Sequence, residues 1–329
     1  MASTIFVTGG TGQTGGNVCQ QLIERGDRVR ALVRNPDEAT ALADIGVELV
    51  QGDIRDADDV RRAAKDAEAA IHCAALLGGA SQDLEDFKAV NMVGTRNVLD
   101  AGKAHGMRRV VALSTATFLD LSTGVDFEEA PVLKHPPKDP YTVTKLAAFT
   151  EAHERAAAGD DVLTCHPGAI FGPAPVVARA LHRTSFNRVL LAGMRGKIKR
   201  YLAFPVTWVA GADVAKGSIA ALDSGVAGER YLLVGRPEDT FSTAGGINRA
   251  CEVAEIDHRV EDLDYRSDPD ALTAEFGPTL MAIAEAAAKS ERKPRTKDNL
   301  TTRRLGYAPM SFDDGLRLLI SWLRELGKL

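Results

Sequence analysis

Cysteine is scarce. The 329 residues carry four, Cys19, Cys73, Cys165 and Cys251. They lie far apart with no Cys-x-x-Cys, which excludes a disulfide framework and a paired-thiol metal site. They read as reduced, cytosolic and mostly buried thiols. None of the seven histidines stands three or four residues from another, so no helical pair of metal ligands is predicted. There is no apolar run long enough to span a bilayer. The opening MASTIFVTGG has no charged stretch leading into an apolar signal core. A cytoplasmic protein without a membrane partner is expected. The formal net charge is −5, with Lys and Arg dispersed and no basic tail or stripe, so nucleic acid is not an expected partner.

What is present is ordinary for a globular chain: 45% hydrophobic and 26% charged residues. The length suits one large domain or two lobes with ample core. Short β-rich runs at Thr4–Thr8, Arg28–Val33, Val47–Gln51, Ala69–Ala74, Arg109–Ser114 and Val162–His166 alternate with helical patterns near 15–25, 37–44, 56–66, 83–105 and 140–157. Val-, Ile- and Leu-rich strands alternating with helices predict an α/β fold, a doubly wound parallel sheet covered on both faces. Gly94 falls inside the predicted 83–105 helix. A mid-helix glycine costs about 1 kcal/mol relative to alanine, so close packing against a neighbour is expected there. The pattern loosens beyond 167. A short strand at 231–234, helices at 243–253 and 278–290, and a last helix near 312–326 capped by Ser311 are predicted. Residues 1–166, with contributions from about 205–240, are expected to form the domain built on this sheet. Residues 167–329 form a smaller C-terminal substrate lobe over the mouth of the sheet.

Thr8-Gly9-Gly10-Thr11-Gly12-Gln13-Thr14-Gly15-Gly16 follows the first strand and opens the first helix. Gly9, Gly12 and Gly15 are spaced to turn tightly, approach a pyrophosphate and pack helix on strand. The helix N-terminus supplies N–H donors and partial positive charge for phosphate. The second strand ends Val33-Arg34-Asn35-Pro36. An acid there would bind a ribose 2′-hydroxyl. A guanidinium instead suits a 2′-phosphate, so NADP(H) is favoured over NAD(H), with a solvated surface arginine as the other reading of Arg34. Asp53, after the third strand, fits two roles: acceptor for the adenine amino group, or start of the next helix. His72 reads as structural. The fifth strand ends Leu113-Ser114-Thr115-Ala116-Thr117. Ser114 and Thr115 are adjacent in that strand, so only one is expected to face a substrate.

Asp139-Pro140-Tyr141-Thr142-Val143-Thr144-Lys145 then places a phenol and an ammonium four residues apart, on one helical face. Asp139 is a natural N-cap and Pro140 a natural first helical residue. A cation near a phenol lowers its pKa from about 10, which makes it a better proton donor.

Together these residues resemble the extended short-chain dehydrogenase/reductase family, also described as the NAD(P)-dependent epimerase/dehydratase-like group. The matches are TGGTGQTGG, Asp53, HCAA, VNMVGTRNVLDA, the LSTAT strand end, PYTVTK, His166-Pro167-Gly168-Ala169-Ile170-Phe171-Gly172-Pro173, Ala212-Asp213-Val214-Ala215 and RRLGYAPMSFDDGLRLLISWL, in the family's order over essentially the whole chain. The resemblance implies Tyr141 as catalytic acid/base, Lys145 lowering its pKa and binding the nicotinamide ribose, and Thr115 in place of the family's catalytic Ser/Thr. It implies cofactor contacts from Gly9, Thr11, Gly12, Gln13, Thr14 and Gly15, from Arg34, Asp53 and Ile54, and from Ala74, Ala75, Asn91, Pro167 and Ile170. It also implies a homodimer through the 83–105 and 140–157 helices.

RALVR and the KPRTKDNL stretch look most like dihydroflavonol-reductase-like and 3β-hydroxysteroid-dehydrogenase-like members. Ala116 and Thr117 stand where 4,6-dehydratases carry an acid pair, which argues against dehydration. His166 replaces an arginine that many members use toward anionic or sugar-nucleotide substrates; it either lines the pocket or is a buried strand-end histidine. The expected activity is NADP(H)-dependent carbonyl–alcohol interconversion on a small-molecule substrate. A sugar-nucleotide epimerase and a non-catalytic dinucleotide-binding regulator are the competing readings. Loop 119–139 and segment 176–210 are expected to shape the pocket. Leu190, Leu191, Met194, Ile198, Leu202, Phe204, Val206 and Trp208 lean it toward an apolar, aromatic or steroid-like substrate.

Overall fold

The computed structural model describes residues 3–78, 83–120, 128, 130–277, 280–281, 284–285 and 299–329. Most of the helix expected at 278–290 and of the KPRTKDNL stretch lies outside the described residues.

Apolar alternation in the first half builds the main sheet. Its first six strands are β1 (Thr4–Thr8), β2 (Arg28–Val33), β3 (Glu48–Gln51), β4 (Ala69–His72), β5 (Val110–Leu113) and β6 (Val162–Pro167). These match the expected strands to within a residue or two at their ends. A seventh strand, Arg230–Leu233, adds beside β6, giving the order Arg230–Leu233, β6, β5, β4, β1, β2, β3. Every neighbouring pair is parallel. Side chains on β1 alternate between two buried layers. Ile5 and Val7 face Val18, Leu22 and Leu222; Phe6 faces Val60, Val98 and Ala152. Burial on both faces is the condition for a parallel sheet. The winding reverses between β1 and β4, and in such sheets the crevice at that reversal takes ligands.

The second core belongs to the lobe. The Ala169–Phe171 strand runs parallel to Val206–Ala210, which pairs antiparallel with Thr240–Phe241. The last helix, Phe312–Glu325, is capped by Ser311, whose hydroxyl accepts from the Asp314 amide at 3.1 Å. Its buried stripe Leu316, Leu319, Ile320 and Leu323 joins Phe171 and Trp208 in this core. The Phe312 ring stands 5.0 Å from Phe171 and 5.4 Å from Trp208.

Two expectations change. Leu190, Leu191, Met194, Leu202, Val206 and Trp208 are buried, and Ile198 and Phe204 pack against that buried core. None of them lines the cleft described below. They are apolar because the lobe needs a core, and they say nothing about a substrate. The helix expected over 83–105 runs unbroken from Leu84 to Ala104 but carries a π turn at Lys88–Val93 that the pattern did not predict. The wider turn rotates Asn91 to a buried position. Gly94 does pack closely, since a Cβ there would sit 3.1 Å from Ile54.

No helix among the described residues is long and apolar enough to cross a membrane. Among them there is also no group of three or more His, Cys, Asp or Glu able to hold a metal ion.

Candidate active site

A cleft of about 660 Å³ opens at the carboxyl edge of the sheet. Its floor is the turn after β1. Gly9 has φ +70°, and a Cβ there would lie 2.6 Å from the Ala74 nitrogen, so only glycine lets the turn lie on the strand-four loop. Gly12 precedes the Gln13–Arg25 helix and offers no capping side chain, and the first turn has no acid. The first-turn N–H groups are left for an anion. The loop therefore fits a dinucleotide pyrophosphate on its own geometry.

Gly9, Thr11, Gly12, Gln13, Thr14, Gly15, Arg34, Asp53, Ile54, Ala74, Ala75, Thr115, Tyr141, Lys145, Pro167 and Ile170 all line this cleft. Some do more than line it. The Gln13 amide donates to the Gly172 carbonyl at 3.0 Å, tying the first helix to the lobe. Asp53 does not start a helix: Asp56 caps Ala57–Ala63. Both Asp53 carboxylate oxygens instead accept from Arg55, at 3.0 and 2.6 Å. The neighbouring Asp59 is paired with Arg62 at 2.7 Å. Arg34 is exposed and has no hydrogen bond or ion pair among the described residues.

Asn91 is the one expected cofactor residue that does not line the cleft. Its amide holds Leu76, accepting from its nitrogen at 2.7 Å and donating to its oxygen at 3.1 Å, and also donates to the Thr144 hydroxyl at 3.1 Å. It ties the cleft wall to the helix that carries Tyr141.

That helix, Pro140–Ala157, starts as expected. The Asp139 carboxylate accepts from the Thr142 amide at 3.0 Å, with Pro140 first. Tyr141 and Lys145 share the face toward the cleft. The Lys145 ammonium donates to the Leu113 carbonyl at 2.6 Å. Burial pulls its pKa down to about 8, partly countered by the Cys73 thiol. Burial pushes the Tyr141 phenol up from its ordinary value, the Thr115 hydroxyl beside it acts the other way, and Asp139 adds a smaller upward push. The lowering of Tyr141 by Lys145 anticipated from the spacing is thus not what the structure shows. Lys145 is turned to Leu113, and burial dominates the phenol.

Ser114 and Thr115 both line the cleft. The strict alternation expected of them fails because β5 ends at Leu113. The Ser114 hydroxyl has no partner among the described residues, whereas the Thr115 hydroxyl accepts from the Thr117 amide at 3.4 Å and stands near enough to Tyr141 to oppose the upward push on its phenol.

The sequence reading missed part of the wall. Cys73, Leu76, Leu77, Asp86 and Val90 line one side, and Arg179, His182, Thr184, Ser185 and Phe186 the other. Only the boundaries 176–210 pointed to the second group, and nothing in its composition singled it out. Arg179 is paired with Glu38 at 3.0 Å, a link from the lobe to the turn after β2. Loop 119–139 was expected to line the pocket, but none of its described residues does. Leu119 and Ala130 are buried against Leu232 and Val234 instead. Residues 121–127 and 129 lie outside the described residues.

A family model for the NAD dependent epimerase/dehydratase family matches residues 5–234, which span the glycine loop, the Tyr141/Lys145 helix and the seventh strand. The chain belongs to the NAD dependent epimerase/dehydratase family. Its members include extended short-chain dehydrogenases/reductases, and this chain is an NAD(P)-dependent enzyme of that type. It is 28% identical to a protein of Methylococcus capsulatus named sterol demethylase protein B, over 99% of this chain and 100% of that one. It is 29% identical to a protein of Synechocystis named putative dihydroflavonol 4-reductase, over 71% of this chain and 68% of that one. Among solved structures, gox2253 superposes with a TM-score of 0.82 at 27% identity, covering 99% of both chains.

Around this epimerase/dehydratase-family site the imidazoles of His72 and His166 are buried and that of His153 is half-buried. His72 bridges the Thr8 and Thr95 hydroxyls at 2.7 and 2.9 Å, and burial pulls its pKa down to about 3. Burial likewise pulls His166 to about 3 and His153 to about 4. An unfolded histidine titrates near 6.5. As pH falls below that value the unfolded chain takes up protons that the folded chain refuses, so stability is full above about pH 6.5 and is lost toward pH 4. The urea midpoint is expected to drop steadily between about pH 7 and about pH 4.5, above the range of most carboxylates. A flat midpoint over that interval would show that these rings protonate in place.

Proposed function

We propose that this protein is an NADP(H)-dependent oxidoreductase interconverting a carbonyl and an alcohol on a small apolar, aromatic or steroid-like substrate. The observation that carries the reading is the convergence of Thr115, Tyr141 and Lys145 in the cleft whose floor is the glycine-rich turn. The nicotinamide, when bound, supplies or takes up the hydride. In the reducing direction the Thr115 hydroxyl holds the carbonyl oxygen, and the Tyr141 phenol gives that oxygen its proton. In the oxidising direction the phenolate takes the proton back. Lys145, one turn along the helix from the phenol and charged below about pH 8, holds the Leu113 carbonyl at the end of β5. Leu76, Leu77, Val90 and Phe186 on the cleft wall support an apolar substrate, as does the sterol-related name of the Methylococcus relative.

Preference for NADP(H) rests on Arg34. Asp53 and Asp59, which line a surface hollow with Arg34, are engaged by Arg55 and Arg62, which leaves the Arg34 guanidinium for a 2′-phosphate. Arg34→Ala should lower the NADP/NAD ratio of kcat/KM by about tenfold or more, about 1.4 kcal/mol; an unchanged ratio would remove Arg34 as the selector. Tyr141→Phe should lose about 100-fold or more in turnover with cofactor affinity kept, read as NADPH consumption on a panel of ketones and aldehydes. Near-normal turnover in that variant sinks the mechanism. A wild-type protein that consumes no NADPH on any of them points to epimerisation.

A homodimer through the 83–105 and 140–157 helices is the proposed assembly. Those helices are bridged to each other by Arg96–Glu151 and Arg155–Asp100 ion pairs, and Val143 is exposed. Light scattering at micromolar concentration should report twice the chain mass. A monomer would overturn the assembly and leave the chemistry untouched.

A further inference from the structure

His166 lies at the heart of the Thr115–Tyr141 arrangement without touching the cleft. It is fully buried on β6, with the Phe118 and Phe149 rings edge-on at 6.3 and 5.6 Å. Its Nδ1 is 2.8 Å from the Thr115 carbonyl oxygen. A carbonyl oxygen only accepts, so Nδ1 carries the proton. In a neutral ring Nε2 must then accept, and the Thr164 hydroxyl 3.0 Å away is the donor. With that proton committed, the Thr164 oxygen receives from His153 Nε2 at 3.4 Å.

The chain of donors has one direction throughout, from His153 to Thr164 to His166 to the Thr115 carbonyl. It begins on the helix that carries Tyr141, runs along one face of β6 and ends on Thr115, which lines the cleft together with Tyr141. It ends on a carbonyl, which has no proton to pass on, so it serves geometry rather than proton transfer. We propose that His166 is a positioning residue for the reaction, its Nδ1–H fixing the Thr115 carbonyl so that the Thr115 hydroxyl and the Tyr141 phenol keep their register. A ring kept neutral by burial suits this task, since a second ring proton would disrupt the Thr164 contact.

The kinetic part rests on the oxidoreductase reading above; the hydrogen-bond part does not. His166→Phe keeps a ring between Phe118 and Phe149 and removes both nitrogens. It should lower kcat about tenfold or more, with the Kd for NADP(H) within about twofold of wild type. His166→Asn places an amide N–H where Nδ1 stands and should recover kcat to within about threefold of wild type. A His166→Phe enzyme that turns over at the wild-type rate overturns the proposal, and so does a folded His166→Asn enzyme as slow as the phenylalanine variant. Nitrogen-15 NMR of the wild-type histidines supplies a readout independent of activity and of whether the variants fold. The Nδ1–H tautomer is expected for His166 at neutral pH, and an Nε2–H or doubly protonated ring overturns the assignment. If wild type reduced no carbonyl compound, the oxidoreductase reading would fail while the tautomer still decided this one.

Discussion

The backbone of the turn after β1 lies directly on the backbone of the loop after β4. The contact leaves no room for a β-carbon at Gly9, whose φ of +70° already excludes most side chains. It sits where the sheet reverses its winding, and it sets how wide the crevice opens between the two halves. The uncapped N-terminus of the first helix, the Asp53–Arg55 pair and the strand-five hydroxyls are all arranged around that crevice. A bulkier residue would separate the two loops and widen the floor on which each of them depends.

Several polar groups near this crevice are held by fixed, mostly buried partners. Lys145 takes the Leu113 carbonyl, Asn91 takes both backbone groups of Leu76, and His72 takes two threonine hydroxyls. Each bond adds little net stability, about 1 kcal/mol, but leaving such a group unpaired in the interior costs more. The arrangement is therefore hard to relax, which is what a reaction demanding aligned donor and acceptor atoms requires. The same burial weakens Tyr141 as an acid and Lys145 as a cation. Proximity alone does not activate a phenol; the orientation of the ammonium and the dryness around both groups decide the balance.

Sequence patterns revealed what local chemistry dictates. Six strands were legible because a parallel sheet demands unbroken Val, Ile and Leu runs. The Tyr141 helix was legible because Asp139 and Pro140 announce its start. The glycine turn was legible because its spacing serves backbone approach and little else. Illegible features depend on distant partners. Nothing near Asn91 signals a π turn; the nearby Gly94 marks only the approach of Ile54. Leu190 and Trp208 look like a substrate wall until Phe312, more than a hundred residues later, is seen packed on Trp208. Asp53 has a cap's character, but Arg55 reaches it first. Arg179 and Phe186 sit in a stretch of mixed composition with no period, and only the tertiary fold brings them over the cleft.

The last helix carries a consequence for how the protein is made. Phe312, Leu316, Leu319 and Leu323 close the core that Phe171 and Trp208 begin, and they are synthesised well after the last strand of the main sheet. The main sheet has its seventh strand once Leu233 has emerged from the ribosome. The lobe at that moment still presents an aromatic and aliphatic face to water, and it keeps doing so until the Phe312–Glu325 helix has followed. Surface of that kind is what chaperones bind and what nascent chains aggregate through. A ribosome that stops between Leu233 and Phe312 would release a protein with a complete main sheet and an open, adhesive lobe.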